Sequence, residues 1–476
     1  MLLIFPLFTG FSGYANITFS KFAFFAAFAA LWLAFLAAAG IMQRLPLPRL
    51  QLHHYAALVF AAVCLASWLL SPYRGDSLIG AGRYDGLVTQ LLYVCIFIGV
   101  SFFGELRRSH FVCLGISAFL CSAVAIVQLF GIDIFGLFPG DYCHYDAGIR
   151  YSGAFLGTMG NTNVLSAFFC LALPALFVLP VLSSRRYAWL ALIPCCAVTF
   201  VLIRARVAGG FVGLMFAALA AMPLLLTDMG RVRRALAAAA PILITAAAAL
   251  AFSPAYSLDT GLELGFRFGT ASALCLVLAA LCIAFSLLAR SFPPLSSKTL
   301  RRFFVALSIL IIVAALIFLW FAPAEEGTVY ELSQVLHGNI GEKFGSSRVL
   351  IWRECLAVFG EHPILGSGPD TLALRVDVEF SRYVEETGKT LRSGVDNAHN
   401  EYLGYLINTG LLGLAAYLAL LFCAAGKWLR CPENHGMLAI GTGVLCYCAQ
   451  SFFALGLPLV APLLWISAGL ICSRQP

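Results

Sequence analysis

The stretch Asp396-Asn-Ala-His-Asn-Glu-Tyr-Leu-Gly-Tyr-Leu-Ile-Asn-Thr-Gly-Leu-Leu-Gly413 is where a long polar segment runs into an apolar helix. The helical side of this junction is apolar enough to cross a hydrocarbon core of about 30 Å, and the polar side is not. His399 falls at the junction, where a side chain can titrate in water yet act in a sheltered site. With Asn397 as the helix cap, His399 lies in the first turn, where the positive end of the helix dipole favours a neutral ring able to accept a proton. A histidine that merely hydrogen-bonds at a helix start is the plainer reading of the same residue.

Working outward, 61% of the 476 residues are hydrophobic and 11% are charged, against about 25% charged in soluble domains. The fold class is an all-α polytopic membrane protein of about 12–14 transmembrane helices, with one large extracytoplasmic loop bearing short helices. Residues 1–322 read as the N-terminal helices, 323–400 as the loop and 401–476 as the C-terminal helices. Residues 1–12 read as a first, short span.

Orientation comes from basic residues, which fall on alternate connections: Arg44 and Arg49, Arg107 and Arg108, Arg185 and Arg186, Arg231 to Arg234, Arg290 to Arg302, Lys427 and Arg430, and Arg474. These sixteen face three acids, while the other side holds the remaining 14 of 30 basic and 20 of 23 acidic residues. The basic side is therefore cytoplasmic, both termini lie there, and the long loop lies outside. The net charge of +7 is a topology signal and gives no support to nucleic-acid binding. No fixed-period repeat or nucleotide-binding glycine loop is visible, which speaks against an ATP-driven machine. The sixteen cysteines fall mostly in apolar runs without metal-ligand spacing and read as packing residues, with Cys143 and Cys355 the one pair in outer loops.

Arginines on the outer side stand apart from this pattern. Arg83 sits in Gly-Arg-Tyr-Asp-Gly, Arg150 in Gly-Ile-Arg-Tyr-Ser-Gly, and Arg204 and Arg206 in Ile-Arg-Ala-Arg-Val-Ala-Gly-Gly. Only a short turn separates the apolar runs around Arg204 and Arg206, so their charge is costly unless an anion or an acid such as Asp259 pairs with it. Snorkelling to lipid headgroups is the alternative.

From Ser346 a helix is predicted, with serine as cap and Val349, Trp352, Leu356 and Phe359 along one face. It places Arg348 in the first turn, where the dipole disfavours a cation, a conflict that a bound anion resolves. A solvated surface arginine is the alternative. His362 precedes a proline and reads as structural. Between Arg375 and Arg392 the mixed charge suits a flap, and no fold is legible.

Together these stretches resemble the bacterial O-antigen ligase and O-antigen polymerase family. The resemblance is carried by Ala398-His-Asn-Glu-Tyr-Leu-Gly-Tyr-Leu-Ile-Asn-Thr-Gly-Leu-Leu-Gly-Leu, by Ser347-Arg-Val-Leu-Ile-Trp followed by His362-Pro-Ile-Leu-Gly-Ser-Gly, and by Gly160-Asn-Thr-Asn-Val-Leu-Ser-Ala. It implies that His399 is the essential histidine, Arg348 the loop arginine and Arg206 the arginine at the start of a central helix, with Arg204 competing because Ala205-Arg206-Val207 departs from the family's Ser-Arg-Gly. Arg83, Arg150, Asn161 and Asn400 are further candidates for substrate contacts.

The implied activity moves a glycan from undecaprenyl diphosphate to a hydroxyl of a glycan, lipid or protein acceptor, on the outer face of the bacterial cytoplasmic (inner) membrane. It implies an inverting displacement with no metal and no cofactor. A transporter or flippase of a lipid-linked or anionic solute is the alternative from another class; neither an inverted repeat nor matched broken helices supports it. A peptidoglycan glycosyltransferase of the shape and division type would share the architecture, but its motifs are not evident.

Overall fold

In hydrocarbon every backbone N–H and C=O has to be paired within its own segment, so the long apolar runs fold as helices. The structure, a computed structural model, describes residues 1–43, 49–138, 144–146, 149–151, 155–253, 255–257, 261–263, 265–325, 327–342, 344–376, 379–384 and 389–473. In chain order the helices are α1 (Ile4–Leu7), α2 (Ile17–Gln43), α3 (Leu52–Leu70), α4 (Arg74–Ile79), α5 (Leu87–Phe103), α6 (Arg108–Leu129), α7 (Thr162–Leu182), α8 (Leu192–Ala205) and α9 (Ala208–Leu225). Next come α10 (Met229–Ala251), α11 (Thr270–Leu288), α12 (Ser297–Phe321), α13 (Gly327–Leu336), α14 (Phe344–Phe359), α15 (Glu401–Arg430), α16 (His435–Gln450) and α17 (Ala461–Cys472). Three short antiparallel hairpins accompany them: β1 (His144–Asp146) with β2 (Ile149–Tyr151), β3 (Ala255–Ser257) with β4 (Gly261–Glu263), and β5 (Glu379–Val384) with β6 (Lys389–Gly394).

Eleven helices among the described residues are long and apolar enough to cross a membrane, and the shorter α5 and α17 bring the apolar set to thirteen. The all-α polytopic class holds. Residues 1–12, however, are not a span. Only the four residues of α1 are helical there, and the segment is wedged into the bundle with Phe5 fully buried. Its carbonyls are met by side chains: Ser117 donates to Leu2 at 2.9 Å, Thr158 to Pro6 at 2.7 Å, and Lys21 to Phe5 and Pro6 at 2.9 and 3.1 Å. Packing, rather than crossing, explains its apolar character.

The interior is built around α7, which is buried along most of its length, whereas α12 lies largely uncovered at the periphery. The short α17 is buried along its whole length, which accounts for its apolar character all round. Trp465 on α17 stacks on Tyr93 of α5 at 5.6 Å between ring centroids, and Tyr405 and Tyr417 of α15 meet at 4.3 Å. Basic connections gather at one end of the bundle: Lys427 donates to the carbonyls of Cys472 and Ser473, and Arg231 meets His435 at 3.5 Å. The fifteen described cysteines are free; Cys143 lies outside the described residues, so the pairing with Cys355 does.

The polar segment at the other end has its own small core. Ile351 and Cys355 of α14 pack with Leu372, Val376, Val395, Ala398 and Ile407, and Trp352, Val358 and Phe359 lie against them. The predicted apolar face is therefore rotated. Leu356 is 54% exposed, because the i, i+4 pair Ile351 and Cys355 takes the buried stripe. The helix also begins at Phe344, ahead of the expected Ser346 cap. Where no fold was legible, between Arg375 and Arg392, β5 and β6 pair with Glu379 opposite Gly394 and Val384 opposite Lys389.

Candidate active site at the polar end of the bundle

The site is organised by a break in α15. Gly410 has φ 69° and ψ −173°, which interrupts the helix between Thr409 and Leu411. The freed backbone groups are paired by an inserted segment: Leu411 N–H donates to the Pro363 carbonyl at 2.9 Å, Leu412 N–H to Ile364 at 3.2 Å, and Gly368 N–H to Asn408 at 3.0 Å. Ser67 of α3 also donates to Asn408, at 3.0 Å. A Cβ at Gly410 would stand 2.2 Å from the Ile364 oxygen, so the two chains meet backbone to backbone. The motifs Pro363-Ile-Leu-Gly-Ser-Gly368 and Asn408-Thr-Gly410 are thus two halves of one joint, an irregular backbone whose freed groups are paired by protein.

Above that joint a pocket opens, walled by Arg83, Asp85, Asp370, Asp396, His399 and Glu401. His399 stands just ahead of α15 rather than in its first turn. Asn400 is the cap, accepting from Leu403 N–H at 3.1 Å, and Asn397 instead accepts from His399 N–H at 2.9 Å in a local Asx turn. That turn holds His399 at φ 46°. No hydrogen bond to its ring is found among the described residues. Burial first, then the Arg348 charge, pushes the ring down to about 4, with Asp396 opposing and Arg83 adding to the fall. The ring is neutral at physiological pH by this route, and not by the dipole of its own helix.

Arg348 reaches this corner because α14 is tied to it. Trp352, one turn on from Arg348, donates its indole N–H to the Ala398 carbonyl at 3.0 Å, next to His399. Arg348 donates to the Gly345 carbonyl at 2.7 Å, but its Nε is buried with no partner among the described residues. Burial lowers its pKa, with Glu331 opposing.

Arg83 does not stand free for a ligand. It grips Asp396 from Nε at 2.7 Å and Nη2 at 2.5 Å, and its backbone N–H donates to Asp370 at 3.0 Å. Burial is the chief cause that raises the pKa of both Asp370 and Asp85 from the ordinary carboxylate value. Tyr93 donates to Asp85 at 3.1 Å. Glu401 is buried and accepts from Tyr417 at 2.5 Å and Tyr447 at 3.3 Å.

Like Arg348, which is tied to the site by its charge on His399, Arg204 and Arg206 do not line this pocket. Arg206 is exposed at the left-handed end of α8, φ 52°. Arg204 donates to the Phe252 carbonyl at 2.7 Å and lies over the Phe252 ring, with its Nε buried and unpartnered among the described residues; Asp259, its expected partner, lies outside the described residues. The turn between α8 and α9 is at the same end: Gly209 packs against Phe453, and the neighbouring Phe452 meets Trp352 edge-on at 5.7 Å. Asn161 caps α7, accepting from Asn163 and Val164 N–H, so its side-chain oxygen is already engaged. The side chain of Arg150 lies outside the described residues.

The carboxylates Asp85, Asp370 and Glu401 were not singled out from sequence. Backbone geometry marks the same places: the described non-glycine residues at positive φ are Tyr84, Arg206, Ser347, Asp370 and His399. Each is a wall residue, an expected site residue or its immediate neighbour. Such conformations cost on the order of 1–3 kcal/mol each and concentrate where function holds them.

Fold and site thus define a multi-pass membrane protein with a histidine–arginine corner at one end of its bundle. The family model for O-antigen ligase matches residues 263–418, a stretch that contains Arg348, the inserted segment, His399 and the break at Gly410. The match covers less than half of the chain and makes that stretch similar to the O-antigen ligase family, as the motifs implied. Arg83, Arg204 and Arg206 lie outside the matched stretch. None of the curated proteins matches the chain.

Proposed function

We propose that the protein transfers a glycan from undecaprenyl diphosphate to a hydroxyl acceptor at the outer face of the cytoplasmic membrane. The acceptor oxygen attacks the anomeric carbon of the donor sugar, the bond from that carbon to the diphosphate oxygen breaks with its electron pair leaving on the diphosphate, and the configuration inverts. His399 accepts the acceptor's proton. Arg348 neutralises the departing diphosphate, and Arg206 assists from the α8–α9 turn.

The observation that carries this reading is the Trp352–Ala398 hydrogen bond, which fixes the helix bearing Arg348 beside His399. A neutral ring and a buried guanidinium nitrogen without a partner among the described residues are the complementary needs of proton acceptance and anion binding. The two also reinforce each other. The Arg348 charge lowers the pKa of His399, so a bound diphosphate that neutralises Arg348 makes the ring a stronger base as the donor arrives.

The test is reconstitution of the purified protein in vesicles with an undecaprenyl-diphosphate-linked glycan and hydroxyl acceptors. Transfer that survives EDTA, with release of undecaprenyl diphosphate, is expected. Movement of the intact donor across the bilayer without transfer would replace the reading with transport.

A further inference from the structure

We propose that Arg83 is a positioning residue, holding the His399 turn in its productive conformation through Asp396 and Asn397. The inference rests on the role of His399 proposed above. It traces a continuous chain of contacts: Arg83 Nε and Nη2 bind one Asp396 oxygen at 2.7 and 2.5 Å, Asn397 donates to the other at 2.5 Å, and Asn397 accepts the His399 backbone N–H at 2.9 Å. His399 has φ 46°, a conformation that persists only where its surroundings over-determine it. The Asx turn and the Trp352 bond to Ala398 are the restraints on that turn, and Arg83 is the anchor of the first.

Arg83 is itself fixed from the other side. The segment after α3 is laced to residues 367–370: Ser71 donates to the Ser367 carbonyl at 2.5 Å, Ser77 to Pro369 at 2.9 Å, Ala81 N–H to the Asp370 carbonyl at 3.2 Å, and Arg83 N–H to the Asp370 carboxylate at 3.0 Å. Gly80, at φ 115°, brings its backbone so close that a Cβ would stand 2.2 Å from that carboxylate. The Arg83 guanidinium therefore projects from a rigid platform. The pair is about one-third exposed, at 32% and 38%, so it contributes little to global stability, and its loss can be read in activity.

Electrostatics supply a signature that a purely structural role lacks. The charges felt by His399 are Arg348 on α14, Arg83 on the segment before α5 and Asp396 in its own turn, with Asp85, Asp370 and Glu401 in the same pocket wall. Arg83 lowers the ring's pKa and Asp396 raises it. Removing Arg83 moves the pKa up, and neutralising Asp396 moves it down.

The experiment measures transfer by R83Q, D396N and the double variant in vesicles, across pH. Expected are a fall in kcat of roughly tenfold or more for each single variant, little change in KM for the donor, and a double variant no worse than the weaker single one. The acid limb of kcat/KM should move to higher pH in R83Q and to lower pH in D396N, and R83K should recover part of the kcat. Additive losses, or limbs that do not move apart, would overturn the proposal. If H399A retains full activity, the base role fails first; if H399A is inactive while R83Q keeps wild-type kcat, only the positioning role fails.

Discussion

Two arginine-bearing regions share the polar end of the bundle, and they are built differently. Around His399 the chain is cross-braced: α14 is hydrogen-bonded to Ala398, Arg83 to Asp396, and the inserted segment to the break at Gly410. At the α8–α9 turn Arg206 is exposed, and the turn is linked to the corner through Gly209, Phe453, Phe452 and Trp352. The difference suits a division of labour. Under the proposed mechanism the braced corner holds His399 and Arg348, whose proton transfer and diphosphate contact tolerate little misplacement, whereas Arg206 adds longer-range charge neutralisation from an exposed turn.

Substitutions can break or sharpen that contrast. His399→Ala is expected to have the largest effect, a loss of roughly 10²–10⁴-fold in kcat, with normal amounts of folded protein. Arg348→Ala should lower kcat by about 10²-fold, and Arg348→Lys should recover only part, because an ammonium lacks the planar two-pronged contact with phosphate oxygens; donor turnover in vesicles measures both. Arg206→Ala should cost about tenfold without loss of stability. Arg204→Ala should instead lower thermal stability, since it frees the Phe252 carbonyl, while activity per folded molecule is kept. A reversal between these two would hand the diphosphate role to Arg204. The smallest effect is on pH: kcat/KM should hold from neutrality down to near the His399 value of about 4 and fall below it as the ring protonates, while the limb of kcat, read with donor bound, lies higher.

Much of this architecture was legible in the sequence, because hydropathy dictates helices wherever water is excluded. His399 and Arg348 were singled out on local grounds that the fold changes: His399 stands ahead of α15 rather than in its first turn, and α14 begins at Phe344, which moves Arg348 beyond the first turn. The break at Gly410 was not legible. Ile407-Asn-Thr-Gly-Leu-Leu reads as an unbroken helix until the segment from Pro363 to Gly368 is known to occupy the gap. The cap was misread for a local reason: Asn397 and Asn400 are both good caps, and only the fold assigns one to the helix and the other to the His399 turn. Arg83 stood out as an outer charge, yet its partner Asp396 lies 313 positions away. Which carboxylates face inward, Asp85, Asp370 and Glu401, depends on packing between helices that no local pattern encodes. The opening segment shows the converse error, since residues apolar enough to cross a membrane instead fill its interior.

The most direct test of the braced corner measures donor binding and single-turnover transfer side by side, for the wild-type protein and H399A in vesicles loaded with an undecaprenyl-diphosphate-linked glycan. The prediction is equal donor binding by both, with transferred glycan and released undecaprenyl diphosphate from the wild type alone. Transfer by H399A at the wild-type rate would contradict the assignment of His399 as the group that takes the acceptor's proton.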